Sequence, residues 1–309
     1  MRDVVVIGGG VAGLSGAVTL ARARRSVLVV DAGSPRNAPA DGVHGLLGQE
    51  GVSPLELLER GRAELAGYGG SVRSGRVVDA VRDGDGFVVT LDDGSTEQAR
   101  RLLVATGLVD ELPDVPGLRE RWGHDVLHCP YCHGWEVRGQ PIGVLATSER
   151  ATHQALLFRQ WSDDVVLLQH TAPDPTPEQA EQLAALGIRV VPGVVTEVLA
   201  TDGRLSGVRL ESGEVVARSA LTVMPRFVAR LDGLAGLGLT AVPHEMGVGE
   251  HAASDLMGAS SVPGVWVAGN ATDLMAQVTG AMAAGTRAAA AVNMDLIAQD
   301  TVRAVAAAA

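Results

Sequence analysis

The chain contains no lysine, so all 25 of its basic residues are arginine, and 36 acidic residues bring the formal net charge to −11. No cluster of arginines forms a basic run, which argues against nucleic acid and anionic membrane surfaces as partners. Long apolar runs are also missing, because Gly, Asp or Arg interrupts each one before a membrane-spanning length. Since no charged-then-apolar leader precedes the first apolar segment, we expect a soluble protein of the cytoplasm.

Aromatic residues make up only 3% of the 309 residues, and cysteine occurs only twice. Alanine, valine, glycine and leucine dominate instead, which is typical of an α/β protein with closely packed helices and strands. This length accommodates one large or two medium domains. Two cysteines, both in one motif, fit a reducing compartment.

The two cysteines form the motif Cys129-Pro130-Tyr131-Cys132, which His133 follows directly. This spacing lets both sulfurs meet within one turn, so the pair can alternate between dithiol and disulfide. A helix starting there would favour a thiolate, and an imidazole beside it can carry protons during exchange. Three alternatives stand beside this interpretation. The first is covalent haem attachment, which uses the same pattern but requires export. The second is a zinc site, which requires four ligands, and the third is that both cysteines are buried and unreactive.

A second motif lies at the N-terminus, between two β-branched apolar segments that each predict a buried strand. Gly8, Gly10 and Gly13 form G-x-G-x-x-G after the first strand, a helix follows, and the second strand ends at Asp31. In dinucleotide-binding folds these glycines make the tight turn, let the backbone approach the pyrophosphate, and let helix and strand touch. The acid then accepts a hydrogen bond from a ribose. The alternative is a purely structural strand–turn–helix unit.

The chain between these two motifs contains a loop, a helix and several strands. Residues 34–53 are rich in Gly and Pro, and their polar side chains either line a ligand or face solvent; they include Arg36, Asn37, His44 and Gln49. After a helix over 54–65, the segments 72–81 and 87–91 predict a small antiparallel sheet. A buried strand over 102–107 ends in Ala105-Thr106-Gly107, and Pro113–Gly117 indicates a domain boundary.

Taken together, the glycine motif, the Ala-Thr-Gly strand end, the CxxC and the Val267-Ala268-Gly269-Asn270 block resemble the thioredoxin reductase family over essentially the whole chain. The resemblance implies two Rossmann-like α/β domains: an FAD domain over 1–117 and 243–309, and an inserted lobe over 118–242. It implies that FAD contacts Gly8, Gly10, Ala12, Gly13, Asp31, Ala32, Arg36, Asn37, His44, Val78, Ala105, Thr106, Gly107, Gly269, Asn270, Ala276, Gln277 and Val278. It also implies that Cys132 lies nearest the flavin, that Cys129 exchanges with the substrate, and that the protein is a homodimer. Asp273 is an alternative partner to Asn270 for the ribityl chain.

The inserted lobe departs from the family pattern where the family seats NADPH. Residues 146–151 read Ala-Thr-Ser-Glu-Arg-Ala and contain none of the glycines of G-x-G-x-x-A. Glu149 adds a negative charge where phosphate should bind, and no arginine occurs between 160 and 188. Arg150 remains as an alternative phosphate ligand. We expect a folded lobe that does not bind NADPH tightly.

Cys129–Glu136 resembles more closely the family branch that oxidises small dithiols in natural products of the gliotoxin and holomycin kind. The typical reductases carry an acid where His133 stands, and an imidazole is the better proton acceptor near neutral pH; alternatively, His133 only caps the helix or faces solvent. We therefore predict an FAD-dependent enzyme that oxidises a dithiol through Cys129, Cys132 and His133, without a metal and with oxygen as acceptor. An NADPH-dependent disulfide reductase acting on a thioredoxin-like protein and a flavin redox sensor without turnover are the rival hypotheses.

Overall fold

A computed structural model describes residues 1–308, which contain nineteen β-strands and six α-helices. The strands are β1 Arg2–Ile7, β2 Val27–Asp31, β3 Ser71–Ser74, β4 Val77–Asp83, β5 Gly86–Leu91, β6 Thr96–Val104, β7 Leu108–Glu111, β8 Val126–Leu127, β9 Ile142–Leu145, β10 Val165–Leu168, β11 Arg189–Val191, β12 Val195–Thr201, β13 Arg204–Leu210, β14 Val215–Val216, β15 Ala220–Val223, β16 Arg226–Ala229, β17 Ala241–Pro243, β18 Gly249–Ala252 and β19 Val265–Val267. The helices are α1 Val11–Arg22, α2 Pro54–Gly67, α3 Pro130–His133, α4 Arg150–Phe158, α5 Pro177–Ala185 and α6 Val278–Ala308.

The chain divides into two compact units, each assembled from separate segments. Unit 1 comprises Met1–Ala38, Val52–Asp110 and the chain from Phe227 onward, and unit 2 comprises Pro39–Gly51 and Glu111–Arg226. A discontinuous first domain with an inserted second one is therefore present. The long segment of unit 2 begins at residue 111 and ends at residue 226, whereas the sequence predicted boundaries at 117 and 243. Unit 2 also contains residues 39–51, which the sequence assigned to the first domain.

Unit 1 is built on a sheet of strand order β3-β2-β1-β6-β5-β4, with β19 also paired to β6. Strand β1 is buried on both faces, as its β-branched sequence predicts. Val4 and Val6 pack with α1 and α6, whereas Val5 and Ile7 pack with β4, β5 and the turn around Leu234. A second sheet, β17-β18-β16-β7, belongs mainly to this unit and includes the residues at both boundaries of the segment 111–226.

The antiparallel pairing predicted for 72–81 and 87–91 is confirmed between β4 and β5, but the first segment divides into two strands and the pair is part of the larger sheet. Strand β3 pairs in parallel with β2, while β4 and β5 pair antiparallel with each other and continue through β6 into the parallel sheet. Gly75, at φ +154°, separates β3 from β4, so the apolar run is two strands with different neighbours. Pattern alone does not reveal such a break, because both strands share the same alternation.

Unit 2 has three layers around a five-stranded parallel sheet of order β11-β10-β9-β15-β8. Ile142 and Val144 of β9 face α4 and α5, and the opposite face packs against the β12-β13-β14 sheet. Strand β9 is the fully buried run Ile142–Leu145, and β12 and β13 form an antiparallel hairpin. The carboxyl ends of β8, β9 and β15 lie at one edge of the sheet, which is where parallel α/β sheets place their ligand sites.

Helix α6 extends from Val278 to Ala308. Alanine has the highest helix propensity, so the alanine-rich sequence continues the helix as far as the structure describes it. Within residues 1–308, no helix combines the length and the hydropathy that crossing a membrane requires.

Candidate functional site

In unit 1, two glycines of the first motif seal the turn between β1 and α1. Gly8 has φ +108°, and a Cβ there would lie 2.3 Å from the carbonyl oxygen of Ala105. A Cβ on Gly13 would lie 1.9 Å from the carbonyl oxygen of Gly8. Only glycine fits either position, so both are required for backbone packing.

Gly10 is different, because a Cβ at this position would meet no atom within 4 Å. It is the N-cap of α1, no side chain caps this end, and no acid lies in the first turn. The first N–H groups of the helix therefore stay available beside open space. This combination suits an anionic diphosphate, which such an end binds through N–H groups and the helix dipole.

Asp31, at the end of β2, is held in a fixed orientation. Its Oδ1 accepts hydrogen bonds from the N–H groups of Gly9 at 3.3 Å and Gly33 at 3.1 Å, and its Oδ2 lies 2.9 Å from Arg62 Nη2. A cavity of about 220 Å³ adjoins the carboxylate. Its lining residues are Asp31, Ala32, Gly33, Ser74, Gly75, Arg76 and Asp92. The size and polar lining of the cavity suit a nucleoside.

The other strand ends of unit 1 bring the remaining predicted FAD residues to the same edge of the sheet. Ala105 N donates to the carbonyl of Ile7 at 2.8 Å, and the Thr106 hydroxyl is buried without a hydrogen-bond partner. Gly269, at φ +70°, packs so closely that its Cβ would lie 2.7 Å from Cβ of Ala12. The buried Thr106 hydroxyl therefore has capacity for a ligand hydrogen bond.

Asn270 shapes the turn that leads into α6. Its Nδ2 donates to the carbonyl oxygens of Asp273 at 3.0 Å and Ala276 at 2.9 Å. The amide nitrogen is thus used within the protein, and Oδ1 is the atom that remains for a ligand. Gln277 and Val278 follow at the start of α6, where the N–H groups of the first turn have no partner within the helix.

Three further predicted FAD residues are less closely tied to this edge. The Arg36 guanidinium makes a bidentate pair with Asp110, at 2.8 and 2.7 Å, and lies 5.2 Å from the ring centroid of Phe227. Asn37 is half-buried beside it in sequence. Val78 is exposed and lies at a register break in the β4–β5 pairing. The structure therefore gives Arg36 a packing role that the sequence did not reveal.

In unit 2, Cys129 and Cys132 form a disulfide with a Cα–Cα distance of 5.3 Å. Cys129 is the N-cap of the short helix α3, and its carbonyl accepts the N–H groups of Cys132 at 3.2 Å and His133 at 3.1 Å. Both cysteines are half-buried. The pair can therefore be reduced and reoxidised without unfolding its surroundings.

His133 carries a buried Nε2 without a hydrogen-bond partner. Burial lowers the pKa of His133 below its usual 6.5; Glu136 and Asp41 act in the opposite direction, and the neighbouring imidazole of His44 lowers the pKa further. The imidazole is therefore mostly neutral at pH 7, and a neutral imidazole with a free nitrogen is able to accept a proton.

His44 belongs to this second group of residues, whereas the sequence assigned it to FAD. Its Nδ1 lies 2.6 Å from Glu50 Oε1, and its Nε2 lies 3.5 Å from Glu136 Oε1. The segment 39–51 packs with unit 2, so His44 lies near His133 and the disulfide. The sequence could not predict that His44 lies in unit 2, because a loop without hydrophobic periodicity does not indicate which distant residues it packs against.

A buried amide supports the backbone just before Cys129. Gln154, which is 4% exposed, donates from Nε2 to the carbonyl oxygen of His128 at 3.3 Å and to the hydroxyl of Thr222. His128 Nε2 lies 3.1 Å from the sulfur of Met224. Sequence reasoning missed Gln154, although a glutamine among the apolar residues of α4 is the signal that could have found it.

Residues 146–151 form the loop between β9 and α4 and the start of α4, and none of them is glycine. Ala146 and Ala151 are buried, Glu149 occupies the N-cap of α4, and its side chain makes no capping hydrogen bond. The βαβ arrangement persists, with β9 and β10 in parallel on either side of α4 in sequence. Unit 2 thus has the layered fold of a nucleotide domain without the glycine turn that admits a diphosphate.

Residues 2–285 match the family model of the pyridine nucleotide-disulphide oxidoreductases. Among curated proteins, thioredoxin reductase tcpT of Claviceps purpurea is 33% identical, over 92% of this chain and 90% of its own length. Thioredoxin reductase sirT of Leptosphaeria maculans is 31% identical, over 96% of this chain and 95% of its own.

Solved structures give the same result. The crystal structure of HlmI superposes with a TM-score of 0.93 and 48% identity, covering 99% of this chain and 96% of that one. A thioredoxin reductase TrxB structure from Bacillus anthracis reaches a TM-score of 0.88 at 28% identity, covering 96% of this chain and 99% of that one. The predicted fold class and the resemblance to thioredoxin reductases are therefore confirmed.

Proposed function

This chain belongs to the pyridine nucleotide-disulphide oxidoreductase family, and we propose that it oxidises a small-molecule dithiol to a disulfide through Cys129 and Cys132. Membership makes it a thioredoxin reductase-like oxidoreductase that acts on sulfur groups and binds FAD. The observation that supports the oxidising direction is the imidazole of His133, the residue that directly follows Cys132. Its Nε2 is buried without a hydrogen-bond partner and can accept the proton of a substrate thiol.

The residues of unit 1 fit FAD. Gly10 leaves open space at the uncapped end of α1 for the diphosphate, the cavity beside Asp31 suits the adenosine, and the Thr106 hydroxyl is buried without a partner. When bound, FAD would supply a two-electron acceptor for the enzyme dithiol, and we propose oxygen as the final acceptor. We assign the remaining FAD contacts to the positions at the same strand ends, Ala105–Gly107 and Gly269–Val278.

The proposed exchange starts from the observed disulfide. A substrate thiolate attacks Cys129 Sγ, the Cys129–Cys132 bond breaks, and Cys132 leaves as a thiolate. The second substrate thiol gives its proton to His133 Nε2 and attacks the substrate sulfur of the mixed disulfide. The substrate disulfide forms, Cys129 leaves as a thiolate, and both electrons of the substrate now reside on the enzyme dithiol.

The nucleotide position of unit 2 supports this direction over NADPH-driven reduction. Segment 146–151 carries no glycine, and Glu149 opposes a phosphate at the start of α4. The relatives tcpT and sirT are both named thioredoxin reductases, so reduction of a protein disulfide is the second candidate. We place the enzyme in the cytoplasm and propose a homodimer.

Anaerobic titration of the FAD-loaded protein distinguishes the two directions. We expect dithiothreitol to bleach the flavin absorbance quickly, NADPH and NADH to do so slowly if at all, and air to restore it with formation of hydrogen peroxide. Fast stoichiometric bleaching by micromolar NADPH would instead establish the reductase. Bleaching by dithiothreitol without turnover in air would contradict oxygen as the acceptor.

A further inference from the structure

Two of the few aromatic side chains in this protein are exposed beside its disulfide. The chain has four Trp, two Tyr and three Phe, yet Tyr131 is 66% exposed and Trp135 is 65% exposed. Tyr131 lies between the two cysteines in sequence, and Trp135 follows Cys132 by three residues. Leaving such large rings in water forgoes the burial that normally stabilises them, so folding does not account for their position.

A third ring fixes Tyr131 in place. The rings of Tyr131 and Trp161 meet edge to face, with centroids 5.8 Å apart and an interplanar angle of 86°. A Cβ on Gly134 would lie 2.8 Å from Trp161 Cδ2, so the indole rests directly on that glycine. Trp161 also packs against Phe158, which is completely buried. The exposed tyrosine is thus anchored to the core of unit 2.

Trp135 is oriented by a different contact. The Arg138 guanidinium lies 4.1 Å from the centroid of the indole ring, and its Nη1 donates to the carbonyl oxygen of Trp135 at 2.6 Å. This arginine covers one face of the indole. We name Tyr131, Trp135 and Trp161 the aromatic surface.

We propose that the aromatic surface binds a planar, unsaturated ring in the substrate dithiol while its sulfur exchanges with Cys129. This inference rests on the proposed function. A mixed disulfide holds the substrate sulfur about 2.05 Å from Cys129 Sγ. The carbon frame of the substrate must therefore lie next to the residues that flank this cysteine, and those residues present rings, to which a planar ring binds by stacking.

The size of the surface favours a small molecule over a protein. The exposed parts of Tyr131 and Trp135 amount to an area on the order of 300 Å², given the usual area of aromatic side chains. A stable protein interface buries about 800 Å² on each partner. The surface therefore matches the footprint of one or two fused rings.

The test compares an aromatic with an aliphatic dithiol. For Tyr131→Leu and Trp135→Leu we expect the ratio of kcat/KM for 1,2-bis(mercaptomethyl)benzene, which like dithiothreitol closes a six-membered cyclic disulfide, to that for dithiothreitol to fall about tenfold, as loss of a stacking partner implies. Tyr68→Leu is the matched control, because Tyr68 is also exposed and also has an arginine, Arg22, over its ring, but it lies at the end of α2 in unit 1. Its ratio should equal that of the wild type.

Variants that retain the FAD absorbance and the circular dichroism spectrum of the wild type are folded. Among these, the double variant Tyr131→Leu/Trp135→Leu should show a larger fall in the kcat/KM ratio than either single variant. An unchanged ratio in all folded variants would overturn the inference, as would a selective rise in KM for reduced thioredoxin, which would make the surface a protein-docking site. A wild type that oxidises neither dithiol contradicts the proposed function itself, and this outcome is distinct from both.

Discussion

Glu136 Oε1 lies 3.5 Å from His44 Nε2, which connects the segment 39–51 to the chain just after the disulfide. The two side chains act on His133 with opposite sign: the carboxylate raises its pKa and the imidazole of His44 lowers it. Asp41 also raises it, and burial has the largest effect, in the lowering direction. The proton affinity of the proposed base therefore depends on two separate segments of the chain, 39–51 and the turn that follows α3.

We predict that the acid limb of dithiol oxidation, the fall in rate as the pH decreases, lies at lower pH than an ordinary histidine would give. His133 must be unprotonated to accept a proton, and since its pKa is lowered, protonation begins at a lower pH than for an ordinary histidine. His133→Ala should lose about 10²–10⁴ in rate, and the loss should shrink at high pH, where thiols ionise unaided. A pH profile of kcat/KM from 5 to 9 measures both; a His133→Ala variant with the profile of the wild type would show that the histidine is structural.

Neighbouring charges should move this acid limb in opposite directions. Glu136→Gln removes a group that raises the pKa of His133, so the limb should move to lower pH, and His44→Gln removes a group that lowers it, so the limb should move to higher pH. Glu197→Gln, a carboxylate of unit 2 that pairs with Arg209, is the control. Shifts of the same sign in both variants would contradict this electrostatic account.

Gly10→Val should give a folded protein that does not retain FAD. The valine meets no protein atom at its Cβ position but occupies the space proposed for the diphosphate. Gly67→Val is the matched control, because Gly67 also has open space around a Cβ and lies at the end of α2. The ratio of absorbance at 450 nm to that at 280 nm after purification reports retention, and a yellow Gly10→Val protein would refute the site.

The two cysteines should differ in their reactions. In the proposed order Cys129 exchanges with substrate, so Cys132→Ser should still form a mixed disulfide with an activated aromatic disulfide such as Ellman's reagent. Cys129→Ser keeps only the sulfur that the family resemblance places nearest the flavin, and it should show a long-wavelength charge-transfer absorbance when loaded with FAD. If this absorbance appears in Cys132→Ser instead, the roles of the two cysteines are reversed.

Gln154→Leu should destabilise unit 2 and loosen the backbone before Cys129. The change removes this donor from the carbonyl of His128 and from the buried hydroxyl of Thr222, and an unsatisfied buried hydroxyl costs about 1–3 kcal/mol. Urea denaturation measures the effect. Thr222→Val removes only one of the two acceptors and should cost less; equal stability of wild type and Gln154→Leu would mean that water replaces the amide.

The motifs of this chain were predictable because each depends on local sequence. Glycine spacing and β-branched runs located the turn at Gly8 and the strands β1 and β2 on either side of its helix, since steric limits and periodicity act within a few residues. Long-range partners were not predictable. Neither the placement of His44 in unit 2 nor the pairing of Asp31 with Arg62 leaves a trace in the adjacent residues, because both depend on how distant segments pack.

Arg36 contacts the two residues of unit 1 that flank the longer segment of unit 2, residues 111–226. It pairs with Asp110, the last residue of unit 1 before the insertion, and lies over Phe227, the first residue after it. Strands β7 and β16, which contain these two residues, are neighbours in one sheet. The segment 111–226 therefore begins and ends on neighbouring strands that one side chain connects, so we expect a short glycine–serine linker to be long enough to join Asp110 to Phe227. Such a minimal flavin-binding scaffold would accept a different catalytic lobe between the same two strands.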